Sequence, residues 1–249
     1  MTKEIRAEFR KVFTTRSTYA LLGAVVFLLL LLGFYVAGWH SNKADLMNPL
    51  RLQMIAQQAI NALSIFPAVI AVLLFTHEFR YNTISYSLTL SNNRSKVLLA
   101  KIIAISVVAL VTTAFLGAAA PLLAKLAIHI NHLHLAPQQF HYGSLIWKGL
   151  MFGWGMAMAG LVIAALIRNQ IGAIVTLFIV PSTIEGLLSI WLKSNTVYLP
   201  FSALHRMLGA GDSVNGATLS PLHAMFVFLA YLVVAWAIAW YLFLKRDAS

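Results

Sequence analysis

Residues 19–39 read YALLGAVVFLLLLLGFYVAGW, 21 positions without a charge. A helix needs roughly 20 such residues to cross a hydrocarbon core of about 30 Å. Inside that core it can satisfy its backbone N–H and C=O groups only within itself. The stretch is expected to be a transmembrane helix. It is too long for a removable leader and lacks a convincing small-residue cleavage site. Five further runs of the same kind lie at 57–75, 98–128, 146–167, 171–192 and 222–244. The expected fold class is an all-α membrane protein with six transmembrane helices.

Composition agrees with that reading. Of 249 residues, 60% are apolar and 10% charged, with a mean hydropathy of +0.82, whereas a soluble domain carries roughly 45–50% and about 25%. A water-soluble enzyme of this length could not hide so much apolar surface. Six crossings leave no room for a large extra domain, so chemistry that needs one is expected from a partner. Cysteine is absent, which removes disulfides and thiol chemistry.

The net charge of +11 has an ordinary membrane explanation. Lys3, Arg6, Arg10, Lys11, Arg16, Arg80, Arg94, Lys96, Lys101, Arg168, Lys245 and Arg246 fall on one side of the expected spans, 12 of the 18 basic residues. Lys43, Arg51, Lys125, Lys148, Lys193 and Arg206 fall on the other. Cytoplasmic segments collect Lys and Arg, so both chain ends are expected in the cytoplasm. The third run is longer than a bilayer needs and is expected to tilt, protrude or bend at Pro121, with Lys101 and Lys125 snorkelling toward opposite interfaces.

Residues 1–18 are expected to form an N-terminal amphipathic interfacial helix. Ile5, Phe9, Val12 and Phe13 make one apolar stripe, with Lys3, Arg6, Arg10 and Lys11 elsewhere on it. That face reads as a membrane anchor, as a docking surface for a cytoplasmic partner, or as both. The polar stretch 76–97 joins the second and third spans: Asn82 or Thr83 can cap a short helix reaching about Leu90, and Ser91, Asn92 and Asn93 read as a turn.

A Glu at the cytoplasmic end of span 2 is followed by an Arg-x-x-Thr-hydrophobic unit, a leucine-containing turn, a basic residue and an Ala-Lys opening of span 3. This pattern resembles the ABC-2 type permeases, the membrane subunits of ATP-binding-cassette exporters, through Glu78, Arg80, Thr83, Ile84, Leu88, Arg94, Leu99, Ala100 and Lys101. Asn82 and Asn93 stand where the family pattern often has Gly and Pro. The topology extends the likeness along the chain to the type V exporter-like arrangement.

The resemblance implies a single permease domain, 1–249, in the cytoplasmic (inner) membrane of a bacterium. It further implies pairing with a second permease copy, as homodimer or heterodimer, and docking of a separate P-loop ATPase subunit that carries ATP and Mg. Coupling to that ATPase is expected at Glu78, Arg80, Thr83, Ile84, Leu88 and Arg94, with Phe9 and Phe13 on the interfacial helix. The plainer reading is a solvated loop in which Glu78 pairs with Arg80 or Arg94.

No G-x-x-x-x-G-K-[ST], H-E-x-x-H or G-x-S-x-G occurs, so the chain is not expected to be an enzyme, and no cofactor or nucleic acid is expected on it. Gly209 to Thr218 lacks the phosphate-loop lysine and reads as an external loop. His129, His132, His134 and His141 lack a specific zinc spacing and read as an interfacial polar loop, with no metal site expected.

Glu185 is the acidic residue deep in an expected span. A charge there costs about 2.5–3.5 kcal/mol on insertion scales unless it faces protein or water. Pro181 and Gly186 allow the helix to break around it, so Ser182, Thr183 and Glu185 are candidate substrate-path residues, the alternative being a structurally paired Glu185. Gly149 and Gly153 permit close helix approach and read as packing within the chain. The segment 193–221 is expected outside, with a short amphipathic or re-entrant helix carrying Phe201, Leu204 and Leu208. The competing function is a secondary transporter or accessory membrane protein without an ATPase, which would carry several intramembrane charges or a repeated half.

Overall fold

A computed structural model describes residues 2–34, 49–81, 83, 94–130, 132, 142–208 and 219–245, and every regular element among them is helical. Helix α1 (Thr2–Thr14) opens with Glu4 in its first turn and closes with Lys11 in its last, both complementing the helix dipole. The chain turns at Thr15, whose hydroxyl bonds back to the Lys11 carbonyl. It continues as α2 (Arg16–Phe34), bent by 62° from α1. The expected interfacial helix 1–18 is thus divided. The rest of the expected first span, to Trp39, lies outside the described residues.

Helices α3 (Pro49–Leu63) and α4 (Ile65–Arg80) form one spanning unit, interrupted at Ser64. The Ser64 hydroxyl donates to the Ile60 carbonyl at 2.6 Å, the back-bonding that bends helices. This span is longer at both ends than the expected 57–75, so Thr76 to Arg80 belong to a helix and not to the connecting loop. Helix α5 (Arg94–Ile130) runs through Pro121 without a break. Its 37 residues extend about 55 Å, longer than the hydrocarbon core of about 30 Å that a crossing needs.

Helix α6 (Tyr142–Ile167) occupies the middle of the bundle. Its spanning window is 67% buried, against 17% for the following span and 22% for the last. Glycines let it sit there. A Cβ on Gly149 would meet Ile60, one on Gly153 would meet Thr113 and Ser64, one on Gly155 would meet Leu204 and Phe228, and one on Gly160 would fall 2.7 Å from the Ala68 carbonyl oxygen. The small-residue stripe therefore packs within the chain.

The fifth span stays helical through Pro181 and Gly186, with a π-helical turn at Pro181 in place of a break. Helix α7 (Gln170–Ile179) passes through a π-helical turn (Val180–Ile184) into α8 (Glu185–Leu192) and a 3₁₀ turn (Lys193–Tyr198). A short amphipathic helix, α9 (Pro200–Leu208), buries Phe201, Leu204 and Leu208. Helix α10 (Pro221–Lys245) is the last span. Among the described residues five helices are long and apolar enough to cross a membrane, or six with the bent pair α1 and α2 taken as one.

Candidate functional site

Contacts gather the bases of the spans at one end of the bundle. Helix α1 presents Glu8 and Lys11, three residues apart and so on one face. Helix α4 presents Glu78 in its last turn and α5 presents Lys101 near its start. The Lys101 ammonium lies 3.1 Å from Glu8 Oε2 and 2.7 Å from Glu78 Oε1, and that of Lys11 lies 2.8 Å from Glu8 Oε1 and also pairs with Glu78. Each cation touches both carboxylates, closing an electroneutral square.

Burial differs around the square. The side chains of Lys101 and Glu78 are 1% and 5% exposed, that of Glu8 12% and that of Lys11 40%. Burial works against the charge of Lys11, but the carboxylates of Glu78 and Glu8 outweigh it and raise its pKa above the ordinary lysine value. Glu78 Oε2 is also buried and takes no hydrogen bond among the described residues.

This arrangement corrects two expectations. Lys101 does not snorkel to an interface: it is sealed inside, because two carboxylates compensate it there. Glu78 pairs with Lys11 and Lys101, and not with Arg80. Arg80 is exposed and donates instead to Gln170 Oε1 at 3.2 Å. The Thr83 N–H donates to the Glu78 carbonyl at 2.9 Å, closing the end of α4. Arg94 begins α5. Ile84, Leu88 and the expected short helix lie outside the described residues. On α1, Phe9 is half-buried and Phe13 is 65% exposed, while Val12 is buried.

Glu8 escapes a sequence reading that follows only the stripe. Its signal is an acid at position 8, between Ile5 and Val12 on one arc of the helix and one turn after the helix's other acid, Glu4.

At the same end, the turn between α6 and α7 is held by Arg168. Its guanidinium lies 5.3 Å and 5.6 Å from the ring centres of Phe79 and Phe243 and donates to the Leu242 carbonyl at 3.4 Å. The residue adopts φ +56°, a left-handed conformation costing roughly 1–2 kcal/mol outside glycine. Asn169 then caps α7 by accepting the Gly172 N–H at 2.9 Å.

At the opposite end Glu185 is buried, and its carboxylate accepts from the Phe201 N–H, the Ser202 N–H and the Ser202 hydroxyl, each at 2.7 Å. It therefore caps the N-terminus of α9, where the helix dipole favours an anion. The far end of α9 is held too: Gln57 donates to the Leu208 carbonyl at 3.1 Å. Ser182 and Thr183 are exposed on the π-helical turn. Glu185→Ala is expected to lower stability by about 1–2 kcal/mol, as loss of a helix cap does, read as a lower unfolding midpoint in detergent. An unshifted midpoint would mean that α9 holds its place without the cap.

Among the described residues no group of three or more His, Cys, Asp or Glu is placed to hold a metal. His129 and His132 are exposed, whereas His134 and His141 lie outside the described residues. A family model described as ABC-2 family transporter protein matches residues 4–183. The match takes in all four members of the square and ends just before Glu185. No curated protein matches the chain.

Proposed function

The chain belongs to the ABC-2 family of transporter proteins, and on that footing we propose that it is the permease subunit of an exporter driven by a separate P-loop ATPase. The partner holds ATP and Mg and docks on α1 and on the segment 76–97. Both chain ends lie in the cytoplasm of a bacterial cell, beneath its inner membrane. A second permease copy completes a path for an amphiphilic, lipid, peptide or drug-like cargo.

The observation that carries this reading is the ion-paired square. It ties α1 to the base of one span and the start of the next, so a push on α1 or on the segment between α4 and α5 reaches two spans at once. The fifth span supports the second copy and the path, since its exposed face is available to either and its π-helical turn presents Ser182 and Thr183. Glu185 acts there by positioning α9.

Gentle purification with native partners tests the reading. A P-loop ATPase is expected to co-purify, and its activity is expected to respond to the permease. Glu78→Ala and Thr83→Pro are each expected to abolish that response; Thr83→Pro keeps all four side chains of the square but removes the N–H that closes α4 on the Glu78 carbonyl, so an unfolding midpoint measured beside it separates coupling from folding. Absence of an ATPase, or unchanged stimulation and export in both variants, overturns the proposal.

A further inference from the structure

Beside the square, and sharing none of its residues, a cavity of about 340 Å³ lies between the base of α4 and the turn joining α6 to α7. Thr76, Phe79 and Arg80 form one wall, and Arg168, Asn169 and Gln170 form the other. Two arginines line it and no acidic residue does. We infer that this cavity binds the phosphate headgroup of an anionic phospholipid.

The chemistry of the lining selects the phosphate. Guanidinium is a planar fork of donors suited to phosphate oxygens, and the side-chain NH2 groups of Asn169 and Gln170 add neutral donors. Arg168 is fixed in place by stacking between Phe79 and Phe243, so its charge is positioned before any ligand arrives. Among the described residues Arg80 makes one side-chain hydrogen bond, to Gln170 across the cavity, and its guanidinium lies 5.6 Å from the Tyr81 ring centre; that planar group carries five N–H donors.

The surroundings select a lipid. Ile171 also lines the cavity and is 75% exposed. It begins a stripe with Val175 and Phe178, 46% and 51% exposed, at spacings that share one face of α7. A basic pocket at the end of a spanning helix, continued by an exposed apolar stripe, matches a headgroup continued by an acyl chain. Basic pockets between transmembrane helices are known headgroup sites. An acidic protein segment would use the arginines and leave the stripe bare.

The test is independent of any ATPase. Purified protein in dodecyl maltoside is titrated with dioleoyl phosphatidylglycerol, dioleoyl phosphatidylcholine and inorganic phosphate, with bound lipid counted by native mass spectrometry. Phosphatidylglycerol is expected to give one tight adduct and phosphatidylcholine to bind about tenfold more weakly, the loss expected for one charge-assisted interaction. Arg80→Gln is expected to weaken phosphatidylglycerol binding about tenfold, and Arg80→Gln with Arg168→Gln to remove the adduct.

Arg80 stands outside the aromatic stack, so its single variant decides the matter even where the double variant fails to fold. Equal binding of the two lipids, or phosphatidylglycerol binding unchanged in Arg80→Gln, overturns the assignment. Displacement of the lipid by millimolar inorganic phosphate gives the pocket to a soluble anion instead. Loss of a protein partner from Arg80→Gln without any lipid adduct in the native protein gives it to that partner.

Discussion

Lys101→Met is expected to destabilise the protein by about 3–5 kcal/mol, the cost of breaking a buried ion pair and leaving the other charges in place. Its side chain is 1% exposed and its ammonium bridges Glu8 and Glu78. Without it, two carboxylates share Lys11, whose side chain is 40% exposed and cannot neutralise both. Glu78 is the more affected, because its second oxygen is already buried without a hydrogen bond among the described residues. The measurement is the unfolding midpoint of the purified protein in detergent.

The companion variant Lys101→Met with Glu78→Met separates ion pairing from packing. Replacing both partners by apolar groups of similar size leaves Glu8 and Lys11 as a simple pair and is expected to recover a large part of the loss. A double variant no more stable than Lys101→Met would show that the site needs these side chains for shape and not for charge.

Gly160→Leu is expected to prevent native assembly of the bundle, and Gly160→Ala to cost about 1–3 kcal/mol, the usual range for overpacking. A Cβ at Gly160 would stand 2.7 Å from the Ala68 carbonyl oxygen and 3.3 Å from Ala68 Cα. These are backbone atoms of α4, so no rotamer change relieves the clash, and α4 and α6 must move apart along their shared seam. Gly153 is tighter in distance, 2.1 Å from Thr113 Cγ2 and 2.9 Å from Thr113 Cβ; turning the side chain moves the methyl but not the Cβ, so Gly153→Ala is expected to be costly as well. Gly23, with nothing within 4 Å, is the control: Gly23→Ala should be neutral or slightly stabilising through helix propensity. Equal unfolding midpoints for Gly23→Ala and Gly160→Ala would remove the close-approach argument.

The spans were legible because the bilayer imposes one strong rule, about 20 apolar residues per crossing, and the stretch from Tyr19 to Trp39 obeys it without exception. Their ends were less so. Helix α4 continues through Glu78 and Arg80 because hydrogen bonding carries the helix past the point where hydropathy falls, and an apolar count cannot register that. Pro181 in the fifth span is absorbed by a π-helical turn, and Pro121 leaves α5 continuous.

The candidate site was half legible for a related reason. Glu78 and Lys101 stood out by resemblance, but Lys101 meets Glu8 across 93 positions of sequence, and no periodicity within either helix encodes that meeting. Glu185 could be excluded from lipid on cost alone. Its partners could not be named, because two of them are backbone N–H groups, which every residue but proline offers.

The electroneutrality of the square reaches beyond folding, to how this end of the molecule is approached. Lys11 and Lys101 spend their charge on carboxylates within the chain, so neither adds much to the field outside. The long-range attraction felt by an acidic partner or surface then comes from exposed basic residues outside the square, Arg6, Arg10, Arg16, Arg80, Lys96 and Lys245 among them. That attraction fades over a Debye length of about 8 Å at physiological ionic strength, so salt governs the rate of encounter, while the buried pairs are screened far less and hold the junction together across the same range.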